Sequence, residues 1–90
     1  MYKVDLYRAD QGLQDEIEIG VLSLQDEKYL KSKGIQIDMI DMTFDIRLNA
    51  KLADGRVIEY SKNKKTMKQA FAELVKICKH TIENVPLVVH

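Results

Sequence analysis

Ninety residues, 46% apolar and 31% charged, with 14 Lys plus Arg against 14 Asp plus Glu, describe one small globular domain. Such a chain supports a single core between two layers. That excludes a two-domain enzyme, a doubly wound nucleotide-binding fold and a barrel of βα units. The zero net charge hides a polarity: residues 1–45 carry five basic and ten acidic groups, residues 46–90 nine basic and four acidic. The two halves therefore form opposite faces or cancel where they pack.

Residues 85–89 form the longest apolar stretch, broken by Pro86 and far too short to cross a bilayer. Residues 1–5 alternate charge with apolar side chains and lack the apolar core of a signal peptide. The single cysteine, Cys78, can make neither an internal disulfide nor a thiolate metal cage. The expectation is a cytoplasmic chain with no membrane partner.

No repeat or low-complexity linker divides the chain, so residues 1–90 are read as one domain. Tyr2, Val4 and Leu6 alternate with Lys3 and Asp5, which predicts a half-buried strand. Asp10-Gln11-Gly12 signals a turn. Beyond it Ile17, Ile19 and Val21 alternate with Glu18 and Gly20, a second strand returning antiparallel to the first. Residues 26–32 predict one or two helical turns, with Asp26 as N-cap and Gly34 just past the end.

Between Gly34 and Ser61 lies the clearest strand pattern. Ile40, Met42, Phe44, Ile46, Leu48, Ala50 and Leu52 take every second position, with Asp41, Thr43, Asp45, Arg47, Asn49 and Lys51 between them. Ile35, Ile37 and Met39 carry the opposite phase, so a bulge or break is expected at Met39-Ile40. At Ala53-Asp54-Gly55 a three-residue hairpin loop pairs Ala50 with Ile58 and Leu48 with Tyr60 on one face, Asn49 with Glu59 on the other. A two-residue loop would instead mix polar with apolar groups. The three-residue loop places Gly55 in the left-handed region.

Residues 66–82 read as an amphipathic helix: Met67, Phe71, Leu74, Cys78 and Ile82 form a stripe flanked by Ala70, Val75 and Ile77. Thr66 and Gln69 fit a capping box, Lys79 and His80 suit the C-terminal end, and Asn84 and Pro86 stop the helix. The tail, residues 85–89, is apolar and β-prone. The predicted class is α+β: a small antiparallel sheet of about four strands, order β-β-short α-β-β-α, with the long C-terminal helix on one face.

Few residue constellations suggest chemistry. Lys62, Lys64, Lys65 and Lys68 crowd the start of the long helix, where the macrodipole favours anions, so they mark a candidate phosphate or nucleic-acid contact; a solvated basic loop is the simpler explanation. Asp41 and Asp45, with Asp38 nearby, read as one face of a strand. Four residues at about 3.3 Å each put Asp41 and Asp45 roughly 13 Å apart. That is beyond the about 5–9.5 Å that paired catalytic carboxylates need. Asp26-Glu27-Lys28 matches a fragment of metal-dependent nuclease sites but lacks their context. Cys78 reads as a buried small hydrophobe, and His80, about 200° away around the helix, cannot serve it as a base.

No cofactor, metal or catalytic set is therefore expected. The reading is a non-enzymatic protein-interaction module, an adaptor, inhibitor or regulatory accessory protein; by analogy of size, phages and mobile elements encode many such domains. Its partner is expected to be another protein, through a patch drawn from Tyr7, Tyr29, Val57, Leu87, Val88 and Val89. A homodimer through an edge strand or the tail is a further expectation. Nucleic-acid or phosphate-ligand binding through the four lysines is the alternative.

Overall fold

The computed structural model describes residues 2–8, 10–42, 45–61 and 66–84. In chain order these form β1 (Tyr2–Arg8), β2 (Gly12–Ile19), α1 (Leu24–Ser32), β3 (Gln36–Asp41), β4 (Ile46–Lys51), β5 (Val57–Ser61) and α2 (Met67–Asn84). The α+β class holds, but the sheet has five strands in the order β2-β1-β3-β4-β5 and is mixed: β1 and β3 run parallel. The path of the chain explains the parallel pair. β2 ends beside the start of β1, with Ile19 opposite Tyr2. The chain then passes through α1 and enters β3 from that same end.

The phase jump at Met39-Ile40 is neither a bulge nor a break. Both residues lie in the uninterrupted β3, and the long alternating run is two antiparallel strands. Gln36 pairs with Lys51 and Met39 with Leu48, so odd positions of β3 share a face with even positions of β4. The reversal lies between Asp41 and Ile46, where Met42 N–H donates to the Asp45 carbonyl. Thr43 and Phe44 fall outside the described residues.

The hairpin joining β4 and β5 has the expected register: Ala50 faces Ile58, Asn49 faces Glu59 and Leu48 faces Tyr60. Leu52 N–H donates to the Arg56 carbonyl and Gly55 N–H to the Leu52 carbonyl, closing a three-residue loop with Gly55 at φ 92°. The Asp54 carboxylate clamps this loop, accepting from Arg56 N–H at 3.0 Å and Arg56 Nε at 2.6 Å.

α1 starts earlier than its acidic residues suggest. Ser23, not Asp26, is the N-cap, and its hydroxyl accepts from Asp26 N–H. Its other end is a Schellman turn: Gly34 N–H donates to the Lys31 carbonyl and Ile35 N–H to that of Leu30, with Gly34 at φ 65°. At the start of α2 the capping box forms in both directions, with Gln69 N–H on the Thr66 hydroxyl and Thr66 N–H on the Gln69 amide oxygen.

Both helices contribute to one core on one face of the sheet. Val4, Ile37, Met39, Leu48 and Ala50 pack with Leu30 of α1 and with Ala70, Phe71, Leu74, Val75 and Cys78 of α2. Ile77, predicted to flank that stripe, is 39% exposed, because it lies just outside the buried arc. Tyr2 is buried there too, its hydroxyl donating to the Ile35 carbonyl at 2.7 Å. The acidic half of the sequence supplies β1, β2, α1 and β3, and the basic half β4, β5 and α2. Their boundary in the sheet falls between β3 and β4, so the two halves lie side by side rather than on opposite faces.

A polar and an apolar row on the uncovered sheet face

Strand alternation sends the remaining side chains to the face opposite the helices. The register aligns them in rows that cross the strands. One row runs Glu16, Asp5, Asp38, Asn49, Glu59 from β2 to β5. The next runs Leu13, Tyr7, Ile40, Arg47, Ser61. Each row uses one residue from every strand.

In the polar row two carboxylates sit side by side, since Asp5 and Asp38 are partners on parallel strands. Like charges in that position repel. Gln36 offsets the repulsion: its Nε2 donates to Asp5 at 3.0 Å and to Asp38 at 3.4 Å. Asp38 is only 3% exposed and has the Lys51 ammonium 2.9 Å away. That hydrogen-bonded pairing raises the Lys51 pKa above its ordinary value. Lys3 lies 3.5 Å from Glu16. Asn49, between Asp38 and Glu59, has a buried Oδ1 that accepts no hydrogen bond among the described residues. In the apolar row Leu13 is 59% exposed, with Tyr7 and Ile40 half-buried beside it.

Of the patch residues named from sequence, the three that are described, Tyr7, Tyr29 and Val57, are not brought together. Tyr7 lies on the uncovered face of β1. Val57 is exposed on the same face of β5, three strands away. Tyr29 packs on the helix side, under the Lys79 ammonium at 5.0 Å from its ring centroid. Leu87, Val88 and Val89 lie outside the described residues. So do Lys62, Lys64 and Lys65, whereas Lys68 is exposed in the first turn of α2, which carries no acidic residue.

The carboxylate cluster is rearranged as well. Asp41 closes β3 and Asp45 precedes β4 across the reversal, so they do not share a strand. Asp45 accepts from the Ser61 hydroxyl and from Ile46 N–H. Asp26 faces Lys79 at 3.7 Å and Glu27 accepts from Lys31 at 3.1 Å, so that acidic pair serves α1 and its contact with α2. Among the described residues no group of three or more His, Cys, Asp or Glu is placed to hold a metal ion. Cys78 is fully buried and its thiol pKa is pushed up to about 11 by desolvation. His80 is tied to Asn84, one turn on. Among the described residues no helix is long and apolar enough to cross a membrane.

Asp5, Gln36, Leu13 and Ile40 were not candidates on sequence grounds. Alternation marks Asp5 and Ile40 as residues of strand faces, but only the pairing of distant strands aligns them with each other and with Leu13 and Gln36. The one local signal was Ile40, an apolar residue out of phase with its neighbours. Compared with family models, curated proteins and solved structures, the chain matches none.

Proposed function

We propose that this protein is a non-enzymatic protein-interaction module that binds through the sheet face its helices leave uncovered. The observation that carries this reading is the apolar row Leu13-Tyr7-Ile40, set on that face beside a buried carboxylate. A face that only met water would need neither, and burying Asp38 costs stability unless its partners hold. Exposed apolar groups grouped on one surface are characteristic of contact sites. The inert thiol of Cys78 and the engagement of His80 with Asn84 fit a role without covalent or acid–base chemistry.

A photo-crosslinking residue placed at Tyr7 or Ile40, with Ala72 on the exposed side of α2 as control, tests the reading in native extract. Protein adducts from positions 7 and 40 but not 72 are expected. Adducts from position 72 alone would overturn it.

Nucleic-acid or phosphate binding through Lys62, Lys64, Lys65 and Lys68 is the second reading. It is favoured by exposed Lys68 in a first turn without acidic residues. Anisotropy of labelled oligonucleotides separates the two: binding that falls steeply with salt and weakens on Lys68→Ala supports the lysines, and no binding at low salt eliminates them.

A further inference from the structure

We propose that the occupant of the uncovered face is a basic protein segment, one carrying arginine or lysine side chains next to an apolar one. This rests on the interaction reading above and names the chemistry of its partner. The apolar row supplies a docking strip across β2, β1 and β3, and the row beside it on the same strands is Glu16, Asp5 and Asp38. On β2 a register shift puts Leu13 three residues from Glu16, and on β1 and β3 two residues separate the rows, about 6.6 Å. That matches the distance between side chains two apart in an extended chain, so one short segment can place an apolar group on Tyr7 and a cation on the carboxylates.

Charge selects this occupant over others. The uncovered face carries five carboxylates, Asp5, Glu16, Glu18, Asp38 and Glu59, against three cations, Lys3, Arg47 and Lys51. It is thus net negative on a chain whose total charge is zero. Among the described residues Asp5, Glu18 and Glu59 make no ion pair. Carboxylates accept hydrogen bonds, and a guanidinium or ammonium is all donor. A phosphate backbone or an acidic segment would be repelled. A second copy presenting the same face would set like charges against each other.

The probe is a short labelled peptide of repeating Arg-Ser-Leu-Ser units, compared with Glu-Ser-Leu-Ser and Arg-Ser-Ser-Ser versions, followed by anisotropy and by amide chemical shifts of the intact chain. The arginine–leucine peptide should bind, shift the amides of Asp5, Tyr7, Ile40 and Asn49, and lose affinity about tenfold on Glu16→Lys/Glu59→Lys. Both substituted side chains are exposed, so the fold should tolerate the change. Tyr7→Ser should weaken the arginine–leucine peptide more than the arginine–serine one.

Equal binding of the glutamate peptide would overturn the proposal. So would shifts confined to α1 or to the Asp10–Gly12 turn. Absence of peptide binding, together with crosslinks from positions 7 and 40, would sink the basic-segment proposal while leaving the interaction module standing. Absence of both would remove the two together. Concentration-dependent self-association abolished by Ile40→Lys would instead name a second copy as the occupant.

Discussion

Lys51, its side chain half exposed, holds its ammonium 2.9 Å from the carboxylate of Asp38, whose side chain is 4% exposed. The pair joins β3 to β4 at the seam between the acidic and basic halves of the chain. Removing only the lysine strands a buried carboxylate beside Asp5. Lys51→Ala is therefore expected to cost about 1–3 kcal/mol in denaturant unfolding. Asp38→Asn should cost less, because it also relieves the repulsion by Asp5. In a double-mutant cycle Asp38→Asn should recover most of the loss caused by Lys51→Ala; strictly additive losses would show that the two groups are not coupled.

Gly55 sits at φ 92°, and a Cβ built there meets nothing within 4 Å. Substitution is thus a test of backbone conformation alone. Gly55→Ala should destabilise by about 1–2 kcal/mol, and D-alanine at the same position, introduced by synthesis, should not. If both residues were equally tolerated, the hairpin would not depend on a left-handed residue at position 55.

In the same loop the Arg56 side chain and backbone N–H hold the Asp54 carboxyl below its ordinary pKa. A depressed carboxylate stabilises the fold above its unfolded-state pKa, about 3.9. That contribution is lost as pH falls through the lower folded value. The Arg56 amide resonance should accordingly titrate with a midpoint below the ordinary aspartate value. The midpoint should return toward that value in Arg56→Ala, and an unshifted midpoint in the parent chain would refute the clamp.

The sequence made individual faces legible but not the strand neighbours. Alternation correctly assigned Val4, Leu48 and Ala50 to the core, and matching polar with polar selected the three-residue hairpin, because both signals are local. The parallel pairing of β1 with β3 is set by where α1 delivers the chain, and no alternation pattern names a partner thirty residues away. The jump at Met39-Ile40 was a real signal given the wrong cause: a reversal with an even number of residues between its closing pair, here four between Asp41 and Ile46, exchanges parity between paired strands just as a bulge does, whereas the three-residue loop before β5 keeps it. The uncovered face was the least legible. Asp38 reads as a wet residue between Ile37 and Met39, and it is the neighbouring Gln36, Asn49 and Lys51 that cover it.

The caps give a direct test of how α1 is held. The Ser23 hydroxyl accepts from Asp26 N–H, while the Asp26 carboxylate, instead of capping, faces Lys79. Ser23→Ala should cost about 1 kcal/mol, and Ser23→Asp should be tolerated because it retains an acceptor. Asp26→Asn should cost well under that, as expected for a long, partly exposed ion pair. Reversal of the two losses in thermal or denaturant unfolding would restore Asp26 as the residue that starts the helix.

Cys78 reports on the integrity of the whole core, because it lies fully buried on α2 in the same cluster as Phe71 and Leu74. Its thiol pKa of about 11 leaves a negligible thiolate fraction at pH 8, and burial denies access to a reagent. Alkylation should therefore follow opening of the core rather than the intrinsic reactivity of a free thiol. Native protein should react orders of magnitude more slowly than protein in denaturant. Leu74→Ala, expected to cost about 2–5 kcal/mol, should raise the logarithm of the rate in proportion to the stability it removes, provided opening is at equilibrium. Phe71→Ala should act in the same direction, whereas Lys76→Ala on the exposed side of the helix should leave the rate unchanged. Rapid alkylation of the native chain, insensitive to Leu74→Ala, would mean that Cys78 is reached through local motion of α2 and not through unfolding of the core.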